Sequence, residues 1–154
     1  MELKDIIGEF AVDFGAGRAR PNEAGAYEFD IDALRVVFSE AGDGRSVLTL
    51  SAIADLPSAG RERLFEVLLG SSGTDPAAFS LKPGGSRLFL QRVDRLDGLD
   101  RARFEANLDS FLATAHRWRR LLAEYEAVLS ASDGKETADD GRPEEADGFW
   151  SVRV

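Results

Sequence analysis

Few residues in this chain can do chemistry, and their spacing argues against most reactions. His116 is the single histidine. Imidazole is a common metal ligand, but a metal site needs two or three further donors nearby. One helical turn away stand Leu112, Ala113, Arg119 and Arg120, none of them a ligand. There is no cysteine, which removes thiolate metal sites, disulfides and a cysteine nucleophile together. Asp30 and Asp32 lie two apart on one face of a strand. Paired carboxylates can move a proton or hold Mg²⁺. Beside a tight turn, they more simply hydrogen-bond the turn backbone. Asp13-Phe14-Gly15 and Gly15-Ala16-Gly17 look like fragments of nucleotide-site motifs. No strand precedes these glycines, and the third glycine is missing from its required place. Arg117-Trp118-Arg119-Arg120 sets cations around an aromatic ring. Nucleic-acid binding asks for a wider basic surface, so Trp118 is read as part of a buried stripe and the arginines as solvated. No nucleophile–base pair and no metal set can be assembled. The expectation is a non-enzymatic chain with no cofactor and no metal.

The charge balance supports a protein partner. The 154 residues carry a net charge of −9. From Asp133 onward there are 7 acidic and 3 basic residues, so the net is −4 there and −5 in the rest. Phosphate backbones are bound by Lys and Arg, so an acidic chain repels them on average. No apolar run approaches the roughly 18 residues of a membrane span, and no secretory signal core is present. The expected location is the cytoplasm, and no membrane insertion is expected.

Hydrophobic spacing supplies the elements that must position any binding surface. Leu3, Ile6, Ile7, Phe10 and Phe14 fall on one stripe of a 3.6-residue period, which predicts a helix stopped by Gly15-Ala16-Gly17. The period then changes to two. Tyr27, Phe29 and Ile31 form one alternating set, and Leu34, Val36 and Phe38 another, with Asp32-Ala33 as a tight turn between them. After Ala41-Gly42-Asp43-Gly44, the stretch Ser46 to Ile53 reads as a third strand with Leu48, Leu50 and Ala52 on one face. Leu64, Phe65, Leu68 and Leu69 predict a second helix, ended by Gly70-Ser71-Ser72-Gly73. Phe79 to Leu81 and Leu88 to Leu90 flank Lys82-Pro83-Gly84-Gly85-Ser86 as a hairpin. A last helix from about 100 to 130, capped by Asp97 or Asp100, would run roughly 45 Å. That is longer than a small domain is wide, so one end must project or meet a partner.

These elements give an α+β fold of order α-β-β-β-α-β-β-α, a three-strand meander plus a hairpin in antiparallel sheet. They divide the chain into a domain over 1–130, an acidic linker over 131–148 and an aromatic, strand-like end over 149–154. The apolar content exceeds what so small an interior can absorb. Some apolar faces should therefore open to the surface, where such patches mark binding sites.

Order and spacing together resemble the class I chaperones of type III secretion, the Tir-chaperone-like family, over about residues 1–130. The matching stretches are Tyr27-Glu-Phe-Asp-Ile31, Leu48-Thr-Leu50, Ile53-Ala-Asp-Leu-Pro57 and Leu64-Phe-Glu-Val-Leu-Leu69. Gly84-Gly85 before Leu88-Phe-Leu90, and Phe111 with Trp118, complete the set. Where that family often has Ala-Asn after the paired leucines, Gly70-Ser71 stands here. The resemblance implies a homodimer that works without ATP. It would hold the extended N-terminal segment of a secreted effector in a secretion-competent form. It implies guest contacts at Ile6, Phe10, Phe14, Tyr27, Phe29, Phe38 and Leu50, and a dimer contact at Leu64, Leu68, Phe79 and Leu81. The alternative on the same fold is a regulatory or adaptor protein-binding module unrelated to secretion.

Overall fold

The computed structural model describes residues 2–14, 19–71, 76–82 and 84–133. The expected strand-like end and all but the first three residues of the expected linker lie outside the described residues. The elements are α1 (Leu3–Asp13), β1 (Tyr27–Ile31), β2 (Leu34–Glu40), β3 (Ser46–Asp55), α2 (Arg61–Ser71), β4 (Ala77–Leu81), β5 (Arg87–Arg95) and α3 (Arg101–Asp133). This is the order read from the sequence. The two later elements run longer than expected. β5 continues through Arg92 and Asp94, and α3 continues three residues into the expected linker.

α1 buries Leu3, Ile6, Ile7, Phe10 and Ala11, the stripe that its period dictates. Asp5 closes its first turn by accepting a hydrogen bond from the Glu2 N–H at 3.3 Å. That carboxylate also sits at the positive end of the helix dipole. Asp100 begins α3 in the reciprocal way, as the cap residue whose Oδ1 accepts from the Arg103 N–H at 2.8 Å.

All five strands join one antiparallel sheet in the order β1-β2-β3-β5-β4. The hairpin therefore attaches to the meander through its second strand, and β1 and β4 are the two edges. The β1–β2 turn places Asp32 and Ala33 at φ 49° and 61°. Two successive left-handed residues match the right-handed twist of a two-residue hairpin. An alanine there carries a steric cost of about 1 kcal/mol. Arg119 of α3 steadies the turn, its Nη1 donating to the Ala33 carbonyl at 3.0 Å.

Alternation along the strands sorts the side chains into two faces. Phe29, Ile31, Leu34, Val36, Phe38, Val47, Ile53, Leu88 and Leu90 point to the buried face, where α1 and α3 supply the other half of the core. Five phenylalanines lock the layers together. The Phe10 ring meets Phe29 at 5.4 Å, Phe104 at 5.7 Å and Phe38 at 6.4 Å, all edge-on, and stacks on Phe14 at 5.4 Å. Edge-on pairs add about 0.5–1.5 kcal/mol each beyond their buried area. Near β4, Trp118 of α3 meets Phe79 edge-on at 4.9 Å. The same buried face holds one ion pair, Arg92 with Asp94, joined by three N–O contacts of 2.8 to 3.0 Å.

α2 is held to α3 through a close backbone approach at Gly60, just before its first turn. Gly60 has φ +68°, and an added Cβ would fall 3.0 Å from the Tyr125 hydroxyl and 3.2 Å from Leu129. The Tyr125 hydroxyl donates to the Gly60 carbonyl at 2.9 Å. Leu64 and Leu68 turn inward from α2 and are buried.

Candidate functional site

The residues with chemical potential do not form a reaction centre. Asp30 is tied to Arg35 at 3.3 Å, and Arg35 also reaches Glu28 at 3.8 Å. The hydrogen bond and charge of Asp30, followed by the charge of Glu28, hold the Arg35 guanidinium above its usual pKa. Asp32 sits in the left-handed turn, and His116 is exposed on α3. Two cavities, of about 350 and 330 Å³, open at opposite ends of the sheet, and neither is lined by Asp30, Asp32 or His116. Among the described residues, no three His, Cys, Asp or Glu side chains gather closely enough to hold a metal ion. Among the same residues, no helix is long and apolar enough to cross a membrane.

What the fold does offer is exposed apolar surface beside open backbone. Among the described residues β1 pairs only with β2, so its far side is there a row of unpaired backbone groups. The end of α1 lies against this edge: Phe14, 46% exposed, is 6.4 Å from the ring of Phe29. Tyr27, half-buried, completes this rim. Glu28 and Asp30 stand on the opposite face of β1, in register with Val37 and Arg35. That outer sheet face is partly apolar. Register places Val37 beside Leu50, Leu48 beside Val93 and Ala52 beside Phe89. All six are half-buried or exposed.

The seven residues assigned to a guest by resemblance therefore separate. Ile6, Phe10, Phe29 and Phe38 lie in the core, with Ile6 and Phe38 at 0% exposure. Phe14 and Tyr27 come together at the β1 edge, and Leu50 opens on the outer face. Of the four assigned to a dimer contact, Leu64 and Leu68 are buried within the chain and Phe79 is half-buried against Trp118. Leu81, at 39%, is exposed. Val67 and Leu69, exposed on α2, were not among the residues assigned to a guest or dimer contact from the sequence, nor were Leu48, Phe89 and Val93 on the sheet. Their signal was present in the strand alternation, which shows two faces without telling which one the helices cover.

An apolar rim beside an open strand edge suits a protein that holds another chain. The profile of the Tir chaperone protein (CesT) family matches residues 5–119. The chain belongs to this family. The match begins in α1 and ends in α3, so it includes both sheet edges and the outer face. No curated protein matches the sequence significantly. Solved structures share the fold at low identity. A chain of the ExsC–ExsE complex superposes with a TM-score of 0.67 at 20% identity, covering 79% of this chain and 97% of that one. A chain of the HopA1–SchA chaperone–effector complex gives 0.63 at 12% identity, covering 76% and 92%. The Yersinia pestis type III secretion chaperone SycH, in complex with a stable fragment of YscM2, gives 0.57 at 16% identity, covering 74% and 97%. The acidic residues that follow α3 lie beyond the stretch matched by the CesT family profile.

Proposed function

We propose that this CesT family chain is a non-enzymatic, ATP-independent chaperone for a type III secreted effector, whose N-terminal segment it holds in extended form. The observation that carries the proposal is the open β1 edge with Phe14 and Tyr27 beside it, in a chain of a chaperone family. An extended guest can add a strand to such an edge. Its backbone then satisfies the unpaired groups while alternate side chains meet the apolar rim on one face and Glu28 and Asp30 on the other. Ordering a disordered guest costs about 2–5 kcal/mol, so contact must spread over a large area. Two chains would double that area, and a two-fold dimer is the commonest way to do so. The exposed surface suited to a second copy is Leu81 of β4 together with Val67 and Leu69 of α2. The structural neighbours support the same reading, one being a chaperone–effector complex and another a type III secretion chaperone in complex with a fragment of YscM2. The chain's inventory of functional groups, with its carboxylates ion-paired or solvated, calls for no catalytic step.

The test is to capture the full chain with its partner from lysate of its own organism and to digest the complex lightly. A single major partner with a protected segment near its N-terminus is expected. A partner protected as a whole folded domain would instead favour the adaptor reading.

A further inference from the structure

We infer that the chain's own C-terminal segment, Phe149 to Val154, is a competing strand for the β1 edge, so that a guest must displace it. The inference rests on the β1 edge being the guest site and goes beyond it by naming what fills that edge in the free protein.

Three observations support it. The first is side-chain pattern. In Phe149-Trp150-Ser151-Val152-Arg153-Val154, one strand face would carry Trp150, Val152 and Val154, and the other Phe149, Ser151 and Arg153. The β1 edge asks for this division. Its inner rim is apolar, with Phe14 and Tyr27. Its outer face carries Glu28 and Asp30 against the single guanidinium of Arg35. Trp150, Val152 and Val154 suit the rim, and Arg153 suits the acidic side.

The second is reach. The Arg119 contact with Ala33 fixes where α3 passes the end of β1. From there, α3 continues to Asp133, about 21 Å further at 1.5 Å per residue. Residues 134–148 are acidic and nearly free of apolar side chains, a composition that favours a tether over a packed element. A tether of that length spans about 20 Å on average and about 50 Å at full stretch. The edge is therefore within range in cis.

The third is concentration. A short tether presents its end at an effective concentration on the order of 1 mM. A six-residue strand that binds with a Kd of about 0.1 mM would then fill the edge roughly nine-tenths of the time, slowing exchange there about tenfold.

The experiment compares the full chain with its Trp150→Ser/Val152→Ser variant, which leaves every residue of the folded domain unchanged. Amide hydrogen exchange is read at Tyr27–Ile31, and binding is measured for a labelled synthetic peptide of residues 145–154. Exchange at β1 should be about tenfold slower in the wild-type chain, and independent of protein concentration. The peptide should bind the variant about tenfold more tightly than it binds the wild type, and Arg153→Glu should fall between the two. Equal exchange at β1 in wild type and variant, equal peptide affinity, or protection that appears only at high protein concentration would each overturn the inference. A secreted partner captured at β1 without tail competition would overturn it and leave the chaperone function standing. Tail competition at β1 without any secreted partner would uphold it and remove that function.

Discussion

Phe10 and Phe14 occupy the same stripe of α1, one turn apart, and the structure gives them different work. Phe10 is 7% exposed and touches four other phenylalanines, whereas Phe14 is 46% exposed and meets only Phe10 and Phe29 within that cluster. Replacing Phe10 by alanine removes a nearly complete ring from a packed site and leaves a cavity, at a cost of about 3–5 kcal/mol. Replacing Phe14 removes a ring already half in water. About 100 Å² of apolar area returns to solvent; part of that loss is common to alanine, and no closed cavity forms. At about 25 cal/mol per Å² the stability cost is on the order of 1–2 kcal/mol. Guest affinity should behave in the opposite sense. Phe14→Ala should weaken it at least tenfold while the chain stays folded, because its exposed half is the rim of the β1 edge. Urea unfolding followed by tryptophan fluorescence, at one fixed protein concentration because association shifts apparent stability, gives both stability values. Equal stability losses at the two positions would refute the division of α1 into a core half and a rim half. So would full guest affinity in Phe14→Ala.

Three further outcomes follow from local geometry. Ala33→Gly should stabilise the chain by about 1 kcal/mol, because glycine adopts the left-handed turn without the alanine's steric cost; a thermal melt reads this as an increase in Tm. Asp94→Ala should cost about 3 kcal/mol in urea unfolding, since it strands the Arg92 guanidinium, whose side chain is only 11% exposed. The double change Arg92→Met/Asp94→Leu should recover most of that loss, because the unpaired charge goes as well. Asp43 accepts hydrogen bonds from the Arg45 N–H and the Ser46 hydroxyl, which hold its carboxyl below the usual range. A depressed folded-state value means stabilisation that is complete above the ordinary carboxylate range and is lost as pH falls through the folded value. Asp43→Asn should therefore reduce the slope of stability against pH in that acidic window and leave the slope near neutrality unchanged.

Element order was legible from the sequence because periodicity changes sharply between helices and strands. The stripe of α1, the alternation from Tyr27 to Phe38 and the glycine-rich turns each point to one structure. Even the Asp32-Ala33 turn was readable from its length, despite lacking glycine. Topology was less legible. Nothing in Phe79 to Leu90 says that the hairpin pairs with β3 through β5, which is what leaves β4 as an edge. Site residues were the least legible, since a stripe of apolar residues does not show where burial stops. Ile6 and Phe14 share one helical stripe, but Ile6 is fully buried while Phe14, at the end of the helix, opens to solvent. Likewise Leu64 and Leu69 are equally apolar; Leu64 turns inward beside Ile53 and Leu122, while Leu69 turns out. The polar residues Arg92 and Asp94, read as neither core nor strand, lie on the buried face because they satisfy each other.

The central claim is that β1 receives an extended guest strand. Amide hydrogen exchange on the full chain, alone and in complex with its captured partner, tests it most directly. The account predicts that the partner slows exchange at Tyr27–Ile31 beyond its level in the free chain, with smaller changes at Leu48 and Leu50. Exchange at β1 left unchanged by a bound partner, with protection elsewhere, would contradict it.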